Sequence, residues 1–199
     1  MTTRAKRKPA DETSILKERL LKLLHQKSFK QNSEPVFRLS SGRMSPYYVD
    51  AKKTTLDPEG AYLVGKIIFP LIRDLGADGI GGLTLGADPI AQSVAMISFI
   101  EKQPVPAFII RKEPKGHGTG AWLEGGLPDG ARVVVVEDVV TTASSALKAI
   151  EKLKEAGHHV IKVIALLDRQ EGGEQNLEKA GYSLKSIFTL EDLKSVSDS

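Results

Sequence analysis

The sequence RVVVVEDVVTTASSA, residues 132–146, has the pattern of a buried strand that leads into a polar loop. Its four consecutive valines are typical of a parallel strand with helices on both faces. The valine run stops at Glu137 and Asp138, and small hydroxyl residues and an amphipathic helix over residues 146–153 follow. Because open α/β sheets bind ligands at the carboxyl ends of their strands, this order predicts a ligand site at the loop.

The loop after the two acids has the residue types of a phosphate site. Backbone N–H groups at the start of a helix point outward, and the helix dipole favours an anion there. Further hydrogen-bond donors are the hydroxyl groups of Thr141, Thr142, Ser144 and Ser145. The carboxylates cannot bind phosphate but accept hydrogen bonds from ribose hydroxyls, so the pattern predicts a ribose 5-phosphate site. The alternative is an ordinary βα unit with a helix cap at Ser144 or Ser145, which would not need the acid pair.

This stretch resembles the phosphoribosyl diphosphate (PRPP) signature of the type I phosphoribosyltransferases: four apolar residues, two acids, two apolar residues, a threonine and small residues. The resemblance implies the α/β fold of that family, with a central parallel sheet flanked by helices and a small N-terminal hood. It also implies that PRPP is bound by Glu137, Asp138, Val139, Val140, Thr141, Thr142, Ala143, Ser144 and Ser145. Many relatives have glycine where this chain has Ala143, and alanine tolerates an unusual backbone conformation less well.

The composition is that of one globular domain. Of the 199 residues 41% are hydrophobic and 27% are charged, and no apolar run approaches the roughly 20 residues of a membrane span. The chain has no cysteine, which excludes disulfides and cysteine-ligated metals. Four cations lie in residues 1–10, so the rest of the chain is close to neutral, which argues against nucleic-acid binding. We expect a disordered basic tail over 1–10, a single domain over 11–199 and, since no secretory signal is visible, a cytoplasmic protein.

Apolar periodicity and the proline and glycine breakers predict the order of the elements. The expected elements are a helix over 11–30, a hairpin of strands 36–40 and 47–50, a helix opened by Asp57-Pro58 and shortened by Pro70, a glycine-rich loop over 81–91 with Asp88 as helix cap, and buried strands over 105–110 and 160–167. Residues 11–55 and the C-terminal segment are expected to build most of the hood.

Residues 37–50, FRLSSGRMSPYYVD, resemble the hood segment of the orotate phosphoribosyltransferases. The resemblance implies that Tyr48 and Val49 lie against the orotate base. Many relatives have lysine where this chain has Ser40, and many also have lysine where it has Gly86. In the family, the loop that corresponds to the one around Gly86 lies beside the pyrophosphate.

Residues 111–120, RKEPKGHGTG, combine three cations and a histidine with glycines. Such a segment is too polar to pack, which favours either a solvated charged loop or a mobile lid over a polyanion. Its RKxxKxHG spacing resembles the catalytic loop of the orotate phosphoribosyltransferases. The resemblance implies that the diphosphate of PRPP is bound by Arg111, Lys112, Lys115 and His117. It also implies a homodimer, because part of this loop reaches the neighbouring subunit's site.

Arg169 follows the predicted strand at 160–167 and therefore lies at a carboxyl end of the sheet. An arginine there can bind a carboxylate with two parallel hydrogen bonds, although a structural ion pair is the alternative. Family resemblance assigns Arg169 to orotate, and with it Thr141.

The resemblance as a whole implies transfer of the phosphoribosyl group from PRPP to orotate, giving orotidine 5'-monophosphate and pyrophosphate in pyrimidine (UMP) biosynthesis. The expected catalytic residues are Lys115, His117 and Asp138. Mg²⁺ is the expected cofactor, held mainly by PRPP and water rather than by a protein motif. Two alternatives remain: a phosphoribosyltransferase for another base, and a PRPP-sensing regulator that binds nucleic acid.

Overall fold

The computed structural model describes residues 12–39, 42–113 and 122–196. The helices are α1 (Glu12–Ser28), α2 (Lys52–Thr55), α3 (Pro58–Ile68), α4 (Ala87–Ile100), α5 (Ser144–Glu155), α6 (Gly173–Lys179) and α7 (Leu190–Lys194), with a short 3-10 helix at Phe69–Leu71. The strands are β1 (Phe29–Gln31), β2 (Phe37–Arg38), β3 (Met44–Ser45), β4 (Tyr47–Val49), β5 (Gly79–Leu83), β6 (Ala107–Ile110), β7 (Leu123–Glu124), β8 (Arg132–Val140), β9 (His159–Asp168) and β10 (Leu184–Thr189).

Six strands form the central sheet in the order β10-β9-β8-β5-β6-β7. Neighbouring strands are parallel except at the β7 edge, which pairs antiparallel with β6. The valines of β8 alternate between the two faces: Val134 and Val136 pack with α3 and α4, whereas Val133 and Val135 pack with α5. All four valines are buried because helices cover both faces of the sheet, which confirms the predicted α/β class.

Strand β8 continues beyond the valine run, through the acid pair, and ends at Val140. The neighbouring strand β9 is one residue longer, with 10 residues against 9, and pairs with β8 as far as Val140 and Asp168. Continued pairing holds the backbone of the two acids in the sheet. Their side chains are therefore fixed by the strand, and the loop that follows begins at Thr141.

The predicted N-terminal hairpin was wrong in its pairing, because the strands found within 36–40 and 47–50 do not pair with each other. Helix α1 ends at Ser28, and β1 then pairs antiparallel with β4, while β2 pairs with β3. The ring of Phe29 stacks on that of Tyr47 at 5.9 Å, and the backbone N–H of Asp50 donates to the Ser28 carbonyl. These contacts join α1 to the segment that follows β4.

Helix caps follow local sequence at some ends and not at others. Asp57 caps α3 as predicted, with its carboxylate accepting from the N–H groups of Glu59 and Gly60. Asp88 does not cap α4, which begins one residue earlier; its carboxylate accepts instead from the Thr84 hydroxyl at 2.6 Å. Helix α7 was not predicted, and it packs against α1. In the described part of the chain no helix is long and apolar enough to cross a membrane.

Candidate active site

A cleft of about 490 Å³ opens at the carboxyl edge of the sheet, where β5, β8 and β9 end. It is lined by Arg38, Leu39, Tyr48, Val49, Lys52, Leu83, Thr84, Leu85, Gly86, Lys112, Glu137, Asp138, Val139, Thr141, Ser145 and Arg169. A small recess beside it is lined by Glu137 and residues 139–145. The cleft and the recess together bring most of the predicted site residues into one place.

Three of the predicted residues are not among those that line the cleft or the recess in the described part of the chain. Lys115 and His117 lie outside the described residues, as does Ser40. Arg111 is described but lines neither cavity; its guanidinium pairs with Glu124 at 2.8 Å. The roles predicted for these residues stay predictions.

The phosphate loop, residues 141–145, leads into a helix that no side chain caps. The residue before α5 is Ala143, in the left-handed conformation with φ 63° and ψ 17°, and it makes no side-chain hydrogen bond to the helix. The alternative of a cap at Ser144 or Ser145 is therefore not what the structure shows. A twelve-residue helix with an uncapped N-terminus leaves its first N–H groups available to an anion in the recess.

The phosphate loop is held from behind by the segment after β9. The side-chain amide of Asn176 donates to the Thr142 carbonyl at 3.0 Å, and the backbone N–H of Arg169 donates to the Val140 carbonyl at 2.9 Å. Gly173, at the start of α6, packs so closely that a Cβ there would lie 2.9 Å from the Thr141 carbonyl oxygen. Hydrogen bonds and close packing from the segment after β9 therefore hold the backbone of the phosphate loop in place.

Glu137 is buried and Asp138 is partly buried beside the phosphate loop. Burial raises the pKa of Glu137 to about 8, helped by the charge of Asp138 and opposed by Lys112. The Oε2 atom of Glu137 is buried and has no hydrogen-bond partner within the described protein. Burial also raises the pKa of Asp138, against the effects of the Val139 N–H and of Lys52. A buried carboxyl without a partner, next to a phosphate site, is suited to a ligand hydroxyl.

Arg169 is 4% exposed and is clamped between the end of β9 and the N-terminal strands. Its Nε donates to Glu171 at 2.9 Å and its Nη2 donates to the Ser45 hydroxyl at 3.1 Å. Glu171 also pairs with Arg43. Arg169 thus forms the ion pair of the structural alternative and lines the cleft as well, and its role toward orotate stays a prediction.

Lys112 marks the point where the predicted lid meets the cleft, which it lines close to Ser145 and Leu83. The segment's two ends are joined, because the backbone N–H of Arg111 donates to the Trp122 carbonyl at 2.7 Å. Lys152 of α5 donates to the Arg111 carbonyl at 2.9 Å and lies over the Trp122 ring.

Sequence reasoning missed two cations that line the cleft, Arg38 and Lys52. It also missed the contact between Gly86 and Asp138. A Cβ on Gly86 would lie only 2.5 Å from Asp138 Cγ, although the backbone of Gly86 has an ordinary φ of −64°. No local pattern gives such contacts, since the partners come from separate elements.

A parallel sheet with an acid pair and an uncapped helix at its carboxyl edge defines a phosphoribosyltransferase-type protein, and the family model of the phosphoribosyl transferase domain matches residues 61–192. The chain is 52% identical over 177 residues to orotate phosphoribosyltransferase of Aquifex aeolicus, covering 89% of this chain and 97% of the relative. It belongs to the orotate phosphoribosyltransferase family, which confirms the resemblance and the type I fold.

Solved structures agree with this assignment. Mycobacterium tuberculosis orotate phosphoribosyltransferase in complex with Fe(III) dicitrate superposes with a TM-score of 0.78 at 35% identity, covering 89% of this chain and 98% of that chain. The same enzyme in complex with PRPP gives a TM-score of 0.72 at 30% identity, covering 90% and 92%.

Proposed function

We propose that this protein transfers the 5-phosphoribosyl group of PRPP to orotate, giving orotidine 5'-monophosphate and pyrophosphate, a step of pyrimidine (UMP) biosynthesis. One observation carries the proposal: the uncapped N-terminus of α5, the acid pair and Arg169 border a single cleft and its recess. The first suits a phosphate, the second a ribose diol, and the third a carboxylate. Family membership points to the same reaction.

The N–H groups and hydroxyls of the phosphate loop would bind the 5-phosphate of PRPP. In their ionised form, Glu137 and Asp138 would accept hydrogen bonds from the ribose hydroxyls and favour the positive charge that develops on the ring. A neutral Glu137 carboxyl would still accept a hydrogen bond through its carbonyl oxygen. Lys112 and Lys115 would stabilise the charge on the departing pyrophosphate, to which His117 would donate a proton. Direct displacement at C1 needs no protein nucleophile.

Orotate would lie between Tyr48, Val49, Thr141 and Arg169. Glu171 accepts a hydrogen bond from the Nε of Arg169, which lines the cleft. The terminal nitrogens have neutral partners, the Ser45 hydroxyl at 3.1 Å and the Tyr47 carbonyl at 3.5 Å. An arginine has five N–H donors, so these nitrogens can bind a carboxylate in a bidentate way.

Mg²⁺ is part of the proposal because a diphosphate carries the oxygen ligands this ion prefers. Within residues 12–39, 42–113 and 122–196 no cluster of three or more His, Cys, Asp or Glu side chains could hold a metal ion. PRPP oxygens and water would therefore supply most of the ligands, with Glu137 and Asp138 the carboxylates nearest to them in the cleft. When bound, the ion would neutralise charge on the leaving pyrophosphate.

A homodimer with shared sites is also proposed. Met96, Phe99 and Ile100 are more than half exposed and lie at helical spacing on one face of α4. Leu56 and Leu85 are exposed around a groove at the start of α4, beside the cleft. Apolar side chains exposed at both ends of α4 suit contact with a second copy of the chain. A cytoplasmic location and the lack of a nucleic-acid partner stay predictions.

The test is the loss of orotate absorbance with PRPP and Mg²⁺, repeated with EDTA. We expect turnover that EDTA abolishes. Arg169→Ala should lose turnover but still bind PRPP in a calorimetric titration, because the phosphate loop is held through backbone atoms of residue 169. Turnover of a purine without turnover of orotate would overturn the proposal, and so would salt-dependent nucleic-acid binding without any turnover.

A further inference from the structure

Helix α2 is short, but its position is fixed. Ala51, Thr54 and Thr55 are buried, and the hydroxyls of Thr54 and Ser28 are 2.7 Å apart, which ties α2 to the end of α1. The backbone of Lys52, the first residue of α2, is therefore held in place at the rim of the cleft.

The side chain of Lys52 lines the cleft and remains partly accessible. Its Nζ lies 2.8 Å from Asp50 Oδ1, and its side chain is 42% exposed. An ammonium group has three N–H donors, so the pair with Asp50 leaves two for a ligand. The hydrogen bond with Asp50 raises the pKa of Lys52, and the charge of Asp138 acts in the same direction against desolvation. Lys52 is therefore charged at neutral pH and close to the acid pair.

Position 86 cannot supply a cation to this side of the cleft. The Asp138 carboxylate occupies the space in which a side chain on Gly86 would begin. Lys112 borders the cleft on the side of Ser145 and Lys148, whereas Lys52 borders the groove formed by Leu85 and Asp88. The two lysines thus lie on different sides of the ligand space.

We propose that Lys52 binds the diphosphate of PRPP from the side of residues 84–86. It would supply there the positive charge that residue 86 cannot, because the Asp138 carboxylate leaves no room for a side chain at that position. The inference rests on the proposed function, because it takes PRPP as the ligand of the cleft. Its physical basis is a charged ammonium with free donors that faces the same cleft as the acid pair and the phosphate loop.

The test is calorimetric titration of PRPP with Mg²⁺ into the wild-type protein, Lys52→Ala and Lys53→Ala. Lys53 is the matched control, since it is the next residue, is exposed and does not line the cleft. Loss of one charge-assisted hydrogen bond should weaken PRPP binding about tenfold or more in Lys52→Ala. Lys53→Ala should bind like the wild type, and Lys52→Arg should retain most of the affinity. The KM for orotate should change little in Lys52→Ala.

A second variant separates binding from a structural effect of the ion pair. Asp50→Asn removes the charge partner and leaves the ammonium, so PRPP affinity should be retained. Equal weakening in Asp50→Asn and Lys52→Ala, or wild-type affinity in Lys52→Ala, would overturn the role of Lys52 while PRPP binding by the wild type stands. If the wild-type protein does not bind PRPP, the proposed function itself fails.

Discussion

Among the single residues of the cleft, Glu137 has the carboxyl group whose pKa is raised most clearly. Its carboxyl is buried, has an oxygen without a partner and has a pKa raised to about 8 from the ordinary 4.5. Above pH 4.5 this carboxyl ionises in the unfolded chain but stays protonated in the folded protein. It therefore lowers the free energy of unfolding of the ligand-free protein. The ribose-binding role that we propose for Glu137 would account for this loss of stability.

The pH dependence of stability should report this carboxyl. Between pH 4.5 and about 8 the folded protein keeps a proton on Glu137 that the unfolded chain has lost, so the free energy of unfolding falls as pH rises. Glu137→Gln cannot ionise, and we expect it to exceed the wild type in stability by about 1 kcal/mol or more at pH 8. Urea denaturation at pH 5 and pH 8 measures the difference. If the difference in free energy of unfolding between Glu137→Gln and the wild type does not increase from pH 5 to pH 8, the raised pKa of Glu137 is contradicted.

The contact between Gly86 and Asp138 makes a second prediction. A methyl group on residue 86 would displace the Asp138 carboxylate, so Gly86→Ala should lower kcat/KM for PRPP by about tenfold, as for a displaced ligand contact. Gly126→Ala is the control, because a Cβ at Gly126 meets nothing within 4 Å. Steady-state kinetics of both variants provide the comparison. Equal kcat/KM values for Gly86→Ala and Gly126→Ala would show that the Asp138 carboxylate can move away from residue 86 without loss of activity.

Among the elements, α5 and the phosphate loop depend on one strained residue. Ala143 takes the left-handed conformation that glycine adopts freely, and the sequence had already pointed to alanine as the departure at this position. The strain persists because β8, α6 and α5 hold the loop on both sides.

Relief of this strain should be measurable. Ala143→Gly is expected to raise the free energy of unfolding by about 1 kcal/mol, since a Cβ at positive φ is unfavourable. Gly157, just after α5, has a φ of 79° and open space around it, so Gly157→Ala makes the opposite change and should destabilise by a similar amount. Chemical denaturation of both variants measures whether the free energy of unfolding rises in Ala143→Gly and falls in Gly157→Ala. Destabilisation by Ala143→Gly would mean that the loop gains more from the methyl group than it loses in strain.

For the whole molecule, the homodimer with shared sites that we propose predicts that a complete site needs two chains. Mixing Arg169→Ala with Lys115→Ala tests this directly. If the lid acts in the neighbouring subunit's site, half of the dimers are mixed and each has one intact site, so about a quarter of the wild-type activity should return. The two variants assayed separately are the controls. No recovery, with mixed dimers demonstrated by native mass spectrometry, would show that each lid serves its own subunit.

Features that depend on neighbours along the chain could be predicted from the amino-acid sequence. The valine run of β8, the cap of α3 at Asp57 and the order of acids and hydroxyls before α5 are local patterns, so the parallel sheet and the phosphate loop could be predicted. Tertiary structure alone decided the pairing of β1 with β4, the clamp of Arg169 by Glu171 and Ser45, and the approach of Gly86 to Asp138. These contacts join elements that are distant in sequence, and Lys52 enters the cleft only because α2 is anchored on α1. Their energies depend on packing and burial, which no local pattern contains.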